Sequence, residues 1–103
     1  MITECDLVDA FVKRHKADLR FSCKQAQWFI NTPEGWIRDD TNAALDFSRQ
    51  FCSKVSAGMP GNKQRYWLGS YTTMRNVLWL ARSYREIAVD TMLGSKNRRT
   101  MRP

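Results

Sequence analysis

The residues best suited to chemistry in this sequence are cations interleaved with aromatics. Lys63, Arg65, Arg75, Arg82 and Arg85 lie among Tyr66, Trp67, Tyr71 and Trp79. Lysine and arginine neutralise phosphates, and aromatic rings stack on unpaired bases, so this mixture has the composition of a nucleic-acid contact. Arg75 and Arg82 are seven residues apart, which puts them on one face of a helix. Further along, Lys96, Arg98 and Arg99 add charge with no anion near them. The competing reading of the same residues is an ordinary solvated basic face. If exposed, Trp67, Tyr71 and Trp79 could instead anchor a protein interface, and the exposure of Trp67 and Trp79 decides the oligomeric state.

The charge balance follows the same division. The 103 residues carry a net charge of +7. Residues 1–50 hold seven basic and eight acidic side chains, whereas residues 51–103 hold ten basic and two acidic. The whole excess is therefore in the second half, which predicts an anionic partner for that half.

Other chemistries find little support. His15 is the single histidine, and Asp18 is the one carboxylate near it, so the pair makes no metal site and the sequence predicts a solvated histidine at a helix end. Asp39 and Asp40 are adjacent carboxylates, but they directly precede an apolar helical stripe, where capping is their expected task. There is no glycine-rich phosphate loop and no G-x-S-x-G elbow. Cys5, Cys23 and Cys52 are an odd number without C-x-x-C spacing, which predicts reduced thiols rather than disulfides or a zinc site. No enzymatic activity, cofactor or metal is expected. The longest apolar runs, 28–30 and 77–81, fall far short of the roughly 20 residues that cross a bilayer. The acidic first residues do not resemble a signal peptide. The expectation is a cytoplasmic protein with no membrane partner.

These side chains must be positioned by a small number of elements. Apolar residues make up 43% of the chain, enough for one small core. Thr3 can cap a helix over residues 3–17, with Leu7, Ala10, Phe11 and Arg14 at helical spacing. Residues 19–38 read as strands: Leu19, Phe21 and Cys23 alternate with polar neighbours, and Thr32-Pro33-Glu34-Gly35 is a turn between Trp28-Phe29-Ile30 and Trp36-Ile37. Alternation sends Trp28 and Ile30 to one face and Phe29 to the other, and one of these sets should pack on a second helix. That helix is predicted over 41–57, capped by Asp40 or Thr41, with a stripe of Ala44, Leu45, Phe47, Ser48, Phe51, Cys52 and Val55. A loop over 59–62 and a short helix over 63–68 follow. Ser70 then caps a third helix, ending near Tyr84, whose stripe of Met74, Val77, Leu78 and Ala81 is widened by Trp79 and Leu80. A final turn within residues 85–93, or a short strand over 86–89, completes the plan. The fold class is α+β: residues 1–93 form one domain, with an N-terminal helix, a hairpin or three short antiparallel strands, and two to three helices. Residues 94–103 are expected to be a disordered basic tail.

The order of motifs resembles the N-terminal domain of the helicase half of phage and plasmid primase–helicases of the poxvirus-primase-like group. The residues that carry the likeness are Asp18-Leu19-Arg20-Phe21, Trp28-Phe29-Ile30, Gly35-Trp36-Ile37-Arg38-Asp39-Asp40-Thr41, Leu80-Ala81-Arg82-Ser83 and Ile87-Ala88-Val89, within residues 5–90. The resemblance implies a module that engages or presents DNA in replication. It implies no ATPase, helicase or primase activity, because the phosphate loop and the primase active site have no counterpart here. Two functions are therefore expected. The first is a non-enzymatic, phage- or mobile-element-type nucleic-acid-binding module. The second is a small protein-interaction module or inhibitor that binds a replication or host defence complex.

Overall fold

The computed structural model describes residues 3–58 and 67–92. Helix α1 (Glu4–His15) starts at a reciprocal cap: the Asp6 amide donates to Thr3 Oγ1 at 3.1 Å, and the Thr3 amide donates to Asp6 Oδ2 at 3.2 Å. Both hydrogen bonds satisfy amides that the first helical turn leaves unpaired. Leu7, Val8, Phe11 and Val12 form its buried face.

Three strands follow, β1 (Leu19–Ser22), β2 (Gln27–Thr32) and β3 (Gly35–Arg38), paired antiparallel in sequence order. Pro33 and Glu34 alone separate β2 from β3, and Gly35 takes φ 116°, a conformation that strains any residue with a Cβ. Thr32 Oγ1 braces this turn, accepting from the Glu34 amide at 3.1 Å and donating to the Gly35 carbonyl at 2.7 Å.

Helix α2 (Ala43–Ala57) is capped one residue earlier than the sequence suggests. Asp39, not Asp40 or Thr41, accepts from the amides of Ala43 and Ala44, both at 2.8 Å, and from Thr41 at 3.3 Å. Asn42 occupies the cap position with φ 61° and supplies no side-chain hydrogen bond, because the chain reaches the helix through a left-handed residue that lets Asp39 fold back over the first turn. Asp40 is left to pair with Arg38 at 3.7 Å.

Helix α3 (Tyr71–Ala81) begins at Ser70, whose Oγ accepts from the Thr73 amide at 3.1 Å. Its regular part ends at Ala81, short of Tyr84. Tighter bonds, from Ser83 N to the Leu80 carbonyl and from Tyr84 N to the Ala81 carbonyl, both at 3.1 Å, turn the chain back to the sheet. There Ala88–Val89 forms β4, which runs parallel to β1 and completes a four-stranded sheet in the order β3-β2-β1-β4. The sheet is therefore mixed: three antiparallel strands, rather than a hairpin alone, are joined by a short strand within the 86–89 segment, where the sequence predicts either a turn or a strand, and its pairing is parallel. Ser22, fully buried, ties the new edge by donating from Oγ to the Asp90 carbonyl at 3.0 Å.

The α+β core lies between the helices and one face of the sheet. Leu7, Phe11, Leu19, Phe51, Cys52, Leu68, Val77, Ala81 and Ile87 meet there, with Trp28 and Ile30 packed against them. Ser48, also buried, joins α2 to α3 by donating to the Met74 carbonyl at 2.7 Å. His15 is not the solvated residue expected of a helix end. Its side chain is 14% exposed, lies 5.1 Å from the Phe47 ring and 5.0 Å from Phe11, and keeps Nδ1 3.2 Å from Asp18. The bulk of those rings at the α1–α2 contact shields it from water. The three cysteines are free thiols; burial raises the pKa of the Cys52 thiol, with an opposing contribution from its Ser48 hydrogen bond. Among the described residues no helix is long and apolar enough to cross a membrane, and no cluster of three or more metal-ligating side chains occurs. The expected loop at 59–62, most of the short helix at 63–68 and the tail at 94–103 lie outside the described residues; Trp67, Leu68 and Gly69 are helical.

Candidate nucleic-acid interface

Helix α3 brings four of the expected site residues into one cleft. On a helix, residues 71, 75, 78–79 and 82 succeed one another along one side. Val77 and Ala81 are fully buried on the other side, which fixes the rotation of the helix and turns Tyr71, Arg75, Trp79 and Arg82 outward. The resulting open cleft, about 580 Å³, is lined by these four with Thr72, Asn76 and Leu78 from α3, Trp28 from β2, and Asn42 and Leu45 from the start of α2. Among the described residues no carboxylate lines it. Arg75 and Arg82 sit about 10 Å apart along the helix axis, close to the axial rise of three nucleotides on one strand.

The aromatic rings hold the cations in place. The Arg82 guanidinium carbon lies 4.1 Å from the centre of the Phe21 ring and 4.2 Å from that of Trp79. Phe21 is in turn edge-on to Trp28, 5.2 Å away, so the cation is the outer extension of an aromatic cluster rooted in the core. Arg75 lies 5.6 Å from the Tyr71 ring. Neither arginine forms an ion pair with a carboxylate among the described residues. The first turn of α3 carries no acidic side chain of its own to offset the positive end of its dipole. Tyr71 and Trp79 stay 62% and 65% exposed, against the expectation that Trp79 widens the buried stripe.

The other expected residues are placed differently. Trp67 is half-buried and packs against the core, away from the cleft. Arg85 is exposed but does not line the cleft. Lys63, Arg65, Tyr66, Lys96, Arg98 and Arg99 lie outside the described residues. Sequence reasoning missed Phe21 and Asn42, and took Trp28 chiefly for a packing residue. The alternation of β2 separates Trp28 from Phe29 and leaves open which of them faces the helices; the structure turns Trp28 to the helix side, and nothing local to Phe21 shows that an arginine 61 positions later rests on its ring. Asn76, also in the cleft, is engaged: its Nδ2 donates to Glu4 Oε2 at 3.2 Å.

Neither a family model, nor a curated protein, nor a solved structure matches the chain.

Proposed function

We propose that this protein is a non-enzymatic nucleic-acid-binding module, with DNA as its partner. One observation carries the reading. Two arginines without carboxylate partners among the described residues share a concave surface with two largely exposed aromatic rings. Unpaired arginines on a surface are free to neutralise phosphates, and exposed rings are free to stack. The basic excess of the second half points the same way. The motif order within residues 5–90 supports a phage-type replication setting like that of the primase–helicases it resembles, in the cytoplasm.

A salt titration of DNA binding tests the reading. The logarithm of the association constant falls linearly with the logarithm of salt concentration, and Arg75→Gln lowers the slope by about 0.7 to 0.9, the share of one phosphate contact. Undetectable binding at low salt would refute it, because phosphate contacts are strongest there. A chain ending at Gly94 that still binds assigns the activity to the domain; one that does not assigns it to Lys96, Arg98 and Arg99.

A second reading rests on Leu80. It is 37% exposed beside Trp79 but does not line the cleft, so it adds apolar surface that a nucleic acid has no use for. That surface suits a protein partner such as a replication or host defence complex, with the chain acting as an inhibitor. Capture of a defined partner that survives nuclease treatment favours this reading.

A further inference from the structure

We infer that the cleft selects single-stranded over duplex nucleic acid, with an unpaired base stacked on Trp79. This rests on the nucleic-acid reading above and names the substrate class of the same site.

The shape of the surface is the first argument. Proteins that read a duplex through a helix insert that helix into the major groove, so the helix must project. Here α3 is one wall of a concavity whose other wall is Trp28, Asn42 and Leu45. A duplex cannot bring a groove over a helix walled in this way, whereas a single strand can lie along the floor. Asn76, the α3 side chain best suited to reading an adenine edge, is committed to Glu4.

The second argument concerns the rings. In a duplex the faces of the bases are stacked on each other and closed to a protein. A flat aromatic side chain held at a fixed angle is useful only to a base that has left the stack. Trp79 is such a side chain: it contacts Arg82 and still keeps 65% of its surface open. Arg82 itself cannot swing freely, because Phe21 and Trp79 both contact its guanidinium, so its N–H edges are preorganised for a phosphate next to the stacked base.

The third argument is continuity. Trp79 and Arg82 also line a second, shallower depression of about 350 Å³ with Phe21, Cys23 and Ser83. The two depressions meet at the Trp79–Arg82 pair and form a track along α3. From Tyr71 to Arg82 the helix rises about 16 Å, which spans four to five nucleotides at the axial spacing of one strand.

The test uses the full chain and fluorescence anisotropy with a labelled oligodeoxythymidine of about ten nucleotides and a hairpin duplex of similar charge. The single strand binds at least about tenfold more tightly at equal salt, and Trp79→Leu removes about that factor for the single strand while changing duplex affinity less than about twofold. Trp79→Phe keeps most of the affinity but loses the tryptophan quenching that accompanies binding in the unmodified chain. Arg82→Lys keeps the charge and weakens single-strand binding, since an ammonium lacks the planar edge. Duplex binding as tight as single-strand binding, or Trp79→Leu binding like the unmodified chain, overturns the inference and leaves the proposed function standing. Failure to bind either nucleic acid at low salt removes both.

Discussion

On the sheet face turned away from the helices, Arg20 lies 4.9 Å from the centre of the Trp36 ring; on the helix side, Arg82 lies 4.2 Å from that of Trp79. The two pairs use the same residue types and differ in what the cation has left to give. The Arg20 Nη1 donates to the carbonyls of Lys16 and, at 2.8 Å, Leu19, so it braces the end of α1 against the start of β1. Its neighbour across the sheet, Arg38, donates to Gln27 Oε1 at 3.4 Å and pairs with Asp40 at 3.7 Å. Between them in the same row lies Phe29, fully buried although it faces away from the helical core. The arginines of this face direct their donors to partners within the chain. Arg82 and Arg75 have the ring contacts without a carboxylate partner among the described residues. A stacked arginine is thus a candidate site only when its N–H donors, five in a guanidinium, are not already spent inside the chain.

The sharpest way to break this comparison is to reverse the charges of each pair separately. Arg75→Glu with Arg82→Glu weakens DNA binding by at least about 100-fold, because two phosphate contacts become repulsions. Arg20→Glu with Arg38→Glu changes binding less than about threefold, apart from a loss of net charge equal to that of the first pair, and lowers stability by about 1–2 kcal/mol as carbonyls lose donors. Anisotropy and chemical denaturation on both variants separate the effects. Equal losses of binding from the two pairs would show that net charge, not the cleft, governs the interaction.

A smaller effect is expected at the joint between the two surfaces. Asp39 closes β3 and caps α2, and the residues it positions, Asn42 and Leu45, form a wall of the cleft. Asp39→Ala costs about 1–2 kcal/mol, read as a lower denaturation midpoint at unchanged slope. Binding at temperatures where the variant is folded weakens about threefold, since the wall frays while the arginines on α3 keep their place. Asp40→Ala, which removes only an exposed ion pair with Arg38, changes stability by less than about 0.5 kcal/mol.

What could be read from the sequence, and what could not, divides along the range of the interactions. Thr3 and Ser70 as caps, the turn at Thr32 to Gly35, and the stripes of α2 and α3 all depend on residues within four positions of one another. The same holds for Arg75 and Arg82, which one helix is enough to align, whereas Trp79 is expected to widen the buried stripe and stands exposed beside them. The parallel pairing of β4 with β1 depends on Phe21 meeting Ala88 across 67 positions, and the two-residue strand has no periodicity to announce it. That pairing returns the chain to β1 just after Arg82, beside Phe21. The aromatic support of Arg82 was therefore hidden together with the pairing, although a short strand at 86–89 is one of the two expectations for that segment. Trp67 illustrates the converse: amid cations in the sequence it has the look of a surface aromatic, but it is half-buried and packs against the core.

The weakest expected effect on binding tests whether the turn beyond Arg82 is held from outside the cleft. Tyr84, two residues on, donates its hydroxyl to Asp9 of α1. That hydrogen bond to a carboxylate, with burial as the next contribution, pushes the phenol up to about 12 from its ordinary value of 10. A phenol with a raised folded-state pKa stabilises the protein fully below pH 10, where both states are protonated. Between pH 10 and 12 the unfolded chain ionises first and the contribution fades; above that it is gone. Because the contact lies at the surface, solvent screening reduces it to about 1 kcal/mol or less. Tyr84→Phe should therefore be less stable than the unmodified chain by that amount near neutral pH, with the gap closing between pH 10 and 12. DNA binding at neutral pH should not change, because Phe21 and Trp79 hold Arg82 without help from Tyr84. A Tyr84→Phe variant that loses affinity in step with Trp79→Leu would mean that the turn, rather than the aromatic contacts, sets the arginine, and the contrast with the braced Arg20 would lose its basis.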